Sequence, residues 1–213
     1  TLSKVRSFMV DKDNTNIGIC GVKLYDENGD IARSCSRAPS GKAYFSKALG
    51  LTKILPSLGT AMSEWNHLET RIVDQVIGAF FFVRRNLFLK LKGFDERFFV
   101  YFEEVDFSYR SRKEGWYSAY FCGAEAFHKG GGSSDQVKAA RLFYSTRSRI
   151  QYVFKHFNVP SVVLVLFITL VVEPVTRSVF FLLKGSIISF KENLMAYRML
   201  FSWLLRYRDG DRK

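Results

Sequence analysis

The sequence predicts an α/β fold followed by a helical tail, and three observations support this prediction. Alternating apolar residues on both sides of Asn28-Gly29, within residues 17 to 35, are typical of two strands joined by a tight turn. The continuously apolar, β-prone run from Val76 to Val83 is typical of a strand covered on both faces. After residue 136 the sequence favours continuous helix. Strands and helices therefore mix in the first part of the chain only.

The remaining elements are predicted from turn residues and from charge order. Residues 36 to 69 lack clear periodicity, which predicts a long surface loop with short helical pieces. A short helix is expected over residues 86 to 92, with Gly93 as its C-cap. A second helix is expected from residue 103, because acidic residues at 103 to 106 and basic residues at 110 to 113 complement the two ends of a helix dipole. A strand over Tyr117 to Cys122 and a loop over Gly123 to Ser134 are expected next.

Composition indicates an ordered protein with two parts. The chain has 213 residues, of which 47% are hydrophobic and 24% charged, which excludes disorder of the whole. We expect an α/β domain over residues 1 to 135 and a helical extension over 136 to 213. The apolar run of residues 161 to 172 is interrupted at 173 to 177. Because a membrane span needs roughly 20 uninterrupted apolar residues, this pattern favours a helix on the membrane over a spanning one.

Charge and cysteine content narrow the possible partners and compartment. Lys plus Arg number 32 and Asp plus Glu 20, which favours nucleic acid, phosphorylated metabolites or an anionic membrane. Nucleic-acid binding is disfavoured, because the basic residues are dispersed and the sequence has no helix-turn-helix, zinc or RNP-like signature. Three cysteines without CxxC spacing argue against a disulfide framework or a zinc knuckle and favour a reducing, cytosolic setting. The chain starts at Thr1 without a signal peptide, and we interpret this start as a truncation.

Three carboxylates lie within four positions, at Glu103, Glu104 and Asp106, directly after an aromatic run. Mutual repulsion and partial burial are expected to raise the pKa of at least one carboxyl toward the range of a general base. At helical spacing Glu103 and Asp106 share a face while Glu104 points elsewhere, so one carboxylate can serve a cleft and another the structure. The same acids also fit a purely structural role at a helix start.

A histidine and a glycine run follow the last predicted strand, at His128 and Gly130-Gly131-Gly132. A lone histidine in such a loop is typical of a solvated surface residue. The glycines lack the strand and helix context of a phosphate-binding loop. Taken alone, neither feature predicts a site.

The order of these pieces along the chain is more specific than any single piece. The ordered set is Gly78-Ala79-Phe80, Gly93-Phe94-Asp95-Glu96-Arg97-Phe98-Phe99, Tyr101-Phe102-Glu103-Glu104-Val105-Asp106, Arg110, Gly115-Trp116 and His128. It resembles family 2 glycosyltransferases, and among them bacterial rhamnosyltransferase-type enzymes. The specific resemblance covers residues 76 to 132, and a weaker one covers residues 17 to 35 and the helix around 145 to 156.

The resemblance implies the C-terminal part of a GT-A fold, a Rossmann-like α/β domain whose other half binds the nucleotide and supplies a DxD metal motif. It implies that Glu104 is the base that deprotonates the acceptor hydroxyl, although the family usually has Asp at this position. It implies that His128 is a ligand of a divalent metal, Mg or Mn. Asp11-Lys12-Asp13 has the letters of DxD but follows an amphipathic helix instead of an apolar strand, so we expect surface acids there.

Supporting roles follow for five further residues. The resemblance implies that the backbone at Gly78 and Ala79 passes close to a sugar, where glycine leaves room. It implies that Asp106 and Arg110 organise the acidic helix and its loop, and Glu103 is expected to support the neighbouring base.

The implied reaction is an inverting transfer of a sugar from a nucleoside-diphosphate sugar to a hydroxyl of a glycan. The membrane-leaning tail favours a lipid-linked glycan acceptor, cell-surface polysaccharide synthesis, and a location at the cytoplasmic side of the cell membrane. Without a nucleotide-binding half, the chain is expected to bind the donor poorly. The alternative is a catalytically inactive, membrane-associated interaction module, which predicts that changes at Glu104 and His128 are tolerated.

Overall fold

The computed structural model describes residues 1–130 and 137–209, and the chain divides into two compact units. The first unit contains Thr1–Arg97 and Phe102–Gly130. The second contains Phe98–Tyr101 and the described part of Gly131–Lys213. The short segment just before the acidic helix is therefore grouped with the C-terminal helices.

A mixed sheet lies at the centre of the first unit. Its strands are β1 (Ile17–Tyr25), β2 (Ile31–Ala32), β4 (Arg71–Val73), β6 (Phe82–Val83) and β7 (Tyr117–Phe127). Their order in the sheet is β2-β1-β7-β4, and β6 also pairs with β1. Among the described strands, β1 and β7 alone pair in parallel. Two short strands, β3 (Cys35–Ser36) and β5 (Gln75–Val76), form a separate antiparallel ladder. The structure confirms the predicted α/β class and the strands on both sides of Asn28-Gly29.

Helices cover the sheet in the first unit and make up most of the second. They are α1 (Leu2–Val10), α2 (Gly41–Ala48), α3 (Arg85–Lys90) and α4 (Glu103–Lys113), then α5 (Lys138–His156), α6 (Val159–Phe167), α7 (Glu173–Leu183) and α8 (Ile187–Asp209). The predicted loop over 36 to 69 is confirmed, with α2 and two short 3-10 turns inside it. Helix α3 ends two residues earlier than predicted, at Lys90 with Leu91 as its C-cap. Gly93 closes the turn that follows, because its N–H donates to the Phe88 carbonyl at 2.9 Å and its φ is +72°.

Two strand predictions need correction. The run from Val76 to Val83 is not one strand, because it breaks at a turn over Gly78 and Ala79 and only its two ends are extended. Its first end pairs with β3 and its second end with β1, so the run serves two different ladders. The strand predicted to end at Cys122 continues to Phe127, since its last residues pair with the end of β1 after a register shift. Residues 123 to 127, predicted as loop, are therefore strand.

Strand β1 divides the core of the first unit into two apolar clusters. Cys20, Val22 and Leu24 share one face and pack with α1 residues such as Val5. Ile19 faces the other cluster, in which α3 and α4 pack against the sheet. From Ile19 to Val22 the alternation follows the period of two that a strand imposes, so β1 contributes apolar side chains to both faces of the sheet.

The second unit contains a long apolar helical stretch. Among the described residues, Val159–Leu183 is long and apolar enough to cross a membrane, by length and composition, at 25 residues. Core helices of soluble proteins also meet this criterion, but they are mostly buried, whereas 17% of the most apolar window is buried here. Exposed side chains along it include Val163, Phe167, Val171 and Val175.

The polar interruption at residues 173 to 177 does not end this stretch. Residues Ile168–Val172 form a π-helical turn, and Pro174 falls in the first turn of α7, where a missing N–H is tolerated. The Glu173 carboxylate accepts a hydrogen bond from Arg149 of α5 at 2.7 Å, and both side chains are largely buried. An ion pair therefore neutralises the acid in the middle of the apolar stretch.

Candidate functional site

The acidic helix α4 begins directly after two residues in a left-handed conformation. Tyr101 has a φ of +65° and Phe102 a φ of +69°. Bulky side chains seldom adopt this conformation, which costs about 1–3 kcal/mol per residue and is concentrated at functional sites. Phe102 is the N-cap residue and has no polar side chain to cap the helix. The first-turn N–H groups and the positive end of the helix dipole therefore favour a negatively charged group, either an acidic side chain or a bound anion.

Glu104 has the properties expected of a general base. Burial, the largest cause, together with the charge of Glu103, raises the pKa of Glu104 from 4.5 to about 7. The backbone N–H groups of Glu104 and Val105 oppose this rise. The Oε2 atoms of Glu103 and Glu104 are buried and find no hydrogen-bond partner among the described residues. A carboxyl with one buried oxygen that accepts no hydrogen bond, and with a pKa near neutrality, can exchange a proton with a bound hydroxyl.

Asp106 and Arg110 form the organising pair that the sequence predicted. Asp106 is fully buried, and its Oδ2 accepts a hydrogen bond from the Arg110 Nε at 2.7 Å. The two terminal nitrogens of Arg110 donate to the Leu91 carbonyl at 2.8 Å and the Gly93 carbonyl at 2.9 Å. One guanidinium therefore ties α4 to the end of α3. The third acid of the cluster, Asp106, therefore has a structural role.

Two further contacts fix α4 in the first unit. Phe107 is fully buried and packs against Phe88 and Phe94, with ring centroids 5.6 Å and 5.3 Å away. Arg112 forms an ion pair with Asp74, whose other oxygen accepts from the Ala38 N–H at 2.8 Å. The sequence did not predict a role for Asp74, because nothing in the sequence connects it to an arginine 38 residues later. The acids are thus carried on a helix fixed at several points.

The Gly78–Ala79 pair lies in an exposed turn. A Cβ added at Gly78 meets no atom of the chain within 4 Å, so packing does not require glycine there. The room that a glycine leaves is available to a ligand. Proximity of this turn to a sugar stays a prediction.

His128 lies just beyond β7, with its backbone N–H bonded to the Tyr25 carbonyl at 2.9 Å. Its side chain is exposed, and the described residues contain no group of three or more His, Cys, Asp or Glu that could hold a metal ion. His128 could therefore supply one ligand to a metal ion, and this role stays a prediction. Gly131 and Gly132 lie outside the described residues. Asp11 and Asp13 are exposed, as expected.

The structure brings four of the predicted residues together on α4, namely Glu103, Glu104, Asp106 and Arg110. The Gly78–Ala79 turn and His128 lie on other elements of the same unit. No hydrogen bond or ion pair within residues 1–130 that the structure describes joins His128 to these acids. The four residues of α4 could be predicted from sequence, because their charges are concentrated in one short segment of the chain.

Comparisons with known proteins give one partial relationship. No protein-family model and no solved structure matches the chain. N-acetylglucosaminyl-diphospho-decaprenol L-rhamnosyltransferase of Mycobacterium tuberculosis, from strains CDC 1551 / Oshkosh and ATCC 25618 / H37Rv, is 37% identical over 84 residues. The matched segment covers 39% of this chain and 27% of each relative, so it spans about a quarter of the curated relatives' length. This similarity supports a glycosyltransferase-like relationship over that segment.

Proposed function

We propose that the chain is part of an inverting, nucleotide-sugar-dependent glycosyltransferase of family 2 with a GT-A fold, and that Glu104 is its general base. The observation that carries the proposal is the Glu104 carboxyl, whose Oε2 is buried at the start of α4 and whose pKa is raised to about 7. A base works best when its pKa lies near the operating pH. Similarity to a curated rhamnosyltransferase supports the reaction class.

The proposed step is a single displacement at the anomeric carbon of a nucleoside-diphosphate sugar. The acceptor hydroxyl gives its proton to the Glu104 carboxylate as its oxygen forms a bond to the anomeric carbon. The bond from that carbon to the diphosphate oxygen breaks on the opposite side, and the nucleoside diphosphate leaves with the electron pair. The configuration at the anomeric carbon is thereby inverted. Glu103 acts as a positioning residue, because its charge helps to keep the pKa of Glu104 high.

A lipid-linked glycan is the proposed acceptor, and the membrane surface is the proposed location. The relative's name describes transfer of an L-rhamnosyl group to a diphospho-decaprenol-linked sugar, which supports an acceptor of this class. The exposed apolar stretch Val159–Leu183 supports membrane association, as a spanning or an interfacial helix. Three free cysteines support the cytoplasmic side, where thiols stay reduced.

A divalent metal, Mg or Mn, belongs to the proposal with His128 as one ligand. When bound, such an ion neutralises the departing diphosphate. The remaining ligands would come from outside the described residues. Titration, with Mn²⁺ and a nucleoside diphosphate, of the longer protein of which the chain is proposed to be part tests this role. His128→Ala is expected to weaken Mn²⁺ binding, and unchanged binding would remove His128 from the site.

The direct test is transfer by the longer protein of which the chain is proposed to be part. Glu104→Gln is expected to lower transfer at least a hundredfold, consistent with loss of general base catalysis, while nucleotide binding is kept. Glu114→Gln is the matched control, because it makes the same change at an exposed position just after α4. Full activity of Glu104→Gln, or a product with retained anomeric configuration, would contradict the proposal.

A further inference from the structure

The loop between β3 and β4 exposes an apolar surface that the proposed function does not use. We call residues 41 to 58 the apolar lobe. Its exposed large apolar side chains, with their exposed fractions, are Phe45 (46%), Leu49 (58%), Leu51 (38%), Ile54 (78%), Leu55 (56%) and Leu58 (41%). Single exposed apolar side chains are ordinary, whereas six in one short segment make this segment a candidate interaction surface.

The lobe is an ordered structure and not a frayed loop. Helix α2 starts at Ser40, whose Oγ accepts a hydrogen bond from the Ala43 N–H at 3.2 Å. Gly50, with a φ of +73°, turns the chain out of the helix. The two 3-10 turns that follow contain further backbone bonds, such as that from the Leu55 N–H to the Leu51 carbonyl at 2.8 Å. The apolar exposure therefore belongs to a folded surface.

Contacts at the base of the lobe hold it on the first unit. The Arg37 N–H donates to the Thr60 carbonyl at 2.8 Å, which joins the two ends of the loop. The Arg37 guanidinium also forms an ion pair with Glu64 and donates to the Gly59 carbonyl at 3.4 Å. Because both ends are fixed, the lobe presents its apolar side chains without unfolding its backbone.

Charge in this segment has one sign. No Asp or Glu occurs between Asp30 and Glu64, whereas Lys42, Lys47 and Lys53 lie in the lobe and are exposed. Lys42 and Lys53 form no ion pair with the described residues. Protein interfaces are depleted in lysine at their centres, whereas lysine beside Leu, Ile and Phe is typical of segments that lie at an anionic membrane surface. The composition favours lipid over a protein partner.

We infer that the apolar lobe is a membrane-docking surface, in which its Leu, Ile and Phe side chains enter the interfacial region of a bilayer while its lysines contact anionic lipid phosphates. This contact is separate from the C-terminal helices, since it is made by the first unit. It goes beyond the proposed function, because it requires neither sugar transfer nor insertion of Val159–Leu183. A lipid-linked acceptor would be anchored in the same bilayer.

The test places an environment-sensitive fluorophore on a cysteine at position 54 of the whole chain, in a Cys122→Ser background, because Cys20 and Cys35 are buried. The matched control carries the fluorophore at position 89, since Leu89 is similarly exposed on α3. Vesicles of phosphatidylcholine with or without phosphatidylglycerol are then added. We expect a blue shift at position 54 that is larger with phosphatidylglycerol, and no shift at position 89.

Substitutions give a second readout by vesicle co-sedimentation. Ile54→Ser and Leu55→Ser are each expected to lower partition to anionic vesicles about five- to tenfold, from the apolar area withdrawn. Lys53→Gln is expected to lower it about fivefold, and Leu89→Ser to leave it within about twofold. These variants alter exposed positions, so circular dichroism should be unchanged.

Several outcomes would overturn the inference. These are a vesicle-bound protein without a shift at position 54, equal shifts at positions 54 and 89, and absence of vesicle binding by the whole chain. A blue shift that depends on protein concentration without vesicles would instead assign the lobe to contact between copies of this chain. Because transfer is not measured, these results are independent of the test of Glu104 as a base.

Discussion

Replacement of Glu104 by Gln removes a buried carboxyl whose pKa is raised from 4.5 to about 7. This shift corresponds to about 3 kcal/mol between the two protonation states. Between these two pKa values the folded state binds more protons than the unfolded state, so this group makes stability fall as pH rises. The contribution is absent below pH 4.5 and fully destabilising above pH 7. Linkage gives a cost of about 1 kcal/mol at pH 5 and about 3 kcal/mol at pH 8.

The assay is urea unfolding of the whole chain at pH 5 and pH 8, for the wild type and for Glu104→Gln. The variant carries no titrating group at this position, so carboxyls that do not interact with Glu104 cancel in the difference between the two proteins. We expect the advantage of Glu104→Gln to grow by about 2 kcal/mol between the two pH values. The same variant is expected to lose transfer, so that gain of stability and loss of activity occur together.

The pH dependence of transfer provides a second measurement of the same group. The base must be ionised, so the rate is expected to rise with pH and to level off above about pH 7. Glu103→Gln should move this midpoint to lower pH, because it removes a charge that raises the pKa of Glu104. Identical pH dependence of stability for Glu104→Gln and the wild type would refute the reasoning. Glu114→Gln serves as the control in both assays.

Two further predictions concern packing around the site. A Cβ added at Gly21 lies 2.7 Å from the Val76 Cβ, so Gly21→Ala is expected to lower the free energy of unfolding by about 1–3 kcal/mol, whereas Gly78→Ala should fold normally. Loss of transfer in a fully folded Gly78→Ala would indicate a ligand at the turn, and equal stability of the two variants would refute the packing argument. Arg110→Lys keeps the charge but cannot reach the Asp106 carboxylate and both carbonyls at once, so urea unfolding should show a loss of about 1–3 kcal/mol. The same exchange at exposed Arg97 should cost under about 1 kcal/mol, and a similar loss at both positions would contradict the clamp.

The residues of α4 show how much of the candidate site was readable from sequence. Its acidic first turn, its basic last turn and Gly115, with a φ of +82°, are local signals, and the helix spans the predicted residues. The different roles of the acids were implied by the family resemblance, but the charge pattern of the helix alone did not distinguish them. Asp106 takes the structural role because its side chain falls on the buried face of α4, where Arg110 meets it. Glu104 gains its raised pKa from burial, which depends on the surrounding fold.

By itself, the sequence determined those elements whose hydrogen bonds close locally, such as the turn at Asn28-Gly29, the ends of α4, and the irregular loop before β4. Only the tertiary structure decided which segments distant in sequence pair with each other. It divided Val76 to Val83 between two ladders and extended β7 to Phe127, because strand length depends on which strand supplies the hydrogen bonds. It also left the apolar side chains of residues 41 to 58 exposed. Burial of apolar side chains is favourable, but the fold determines which of them are buried and which stay exposed.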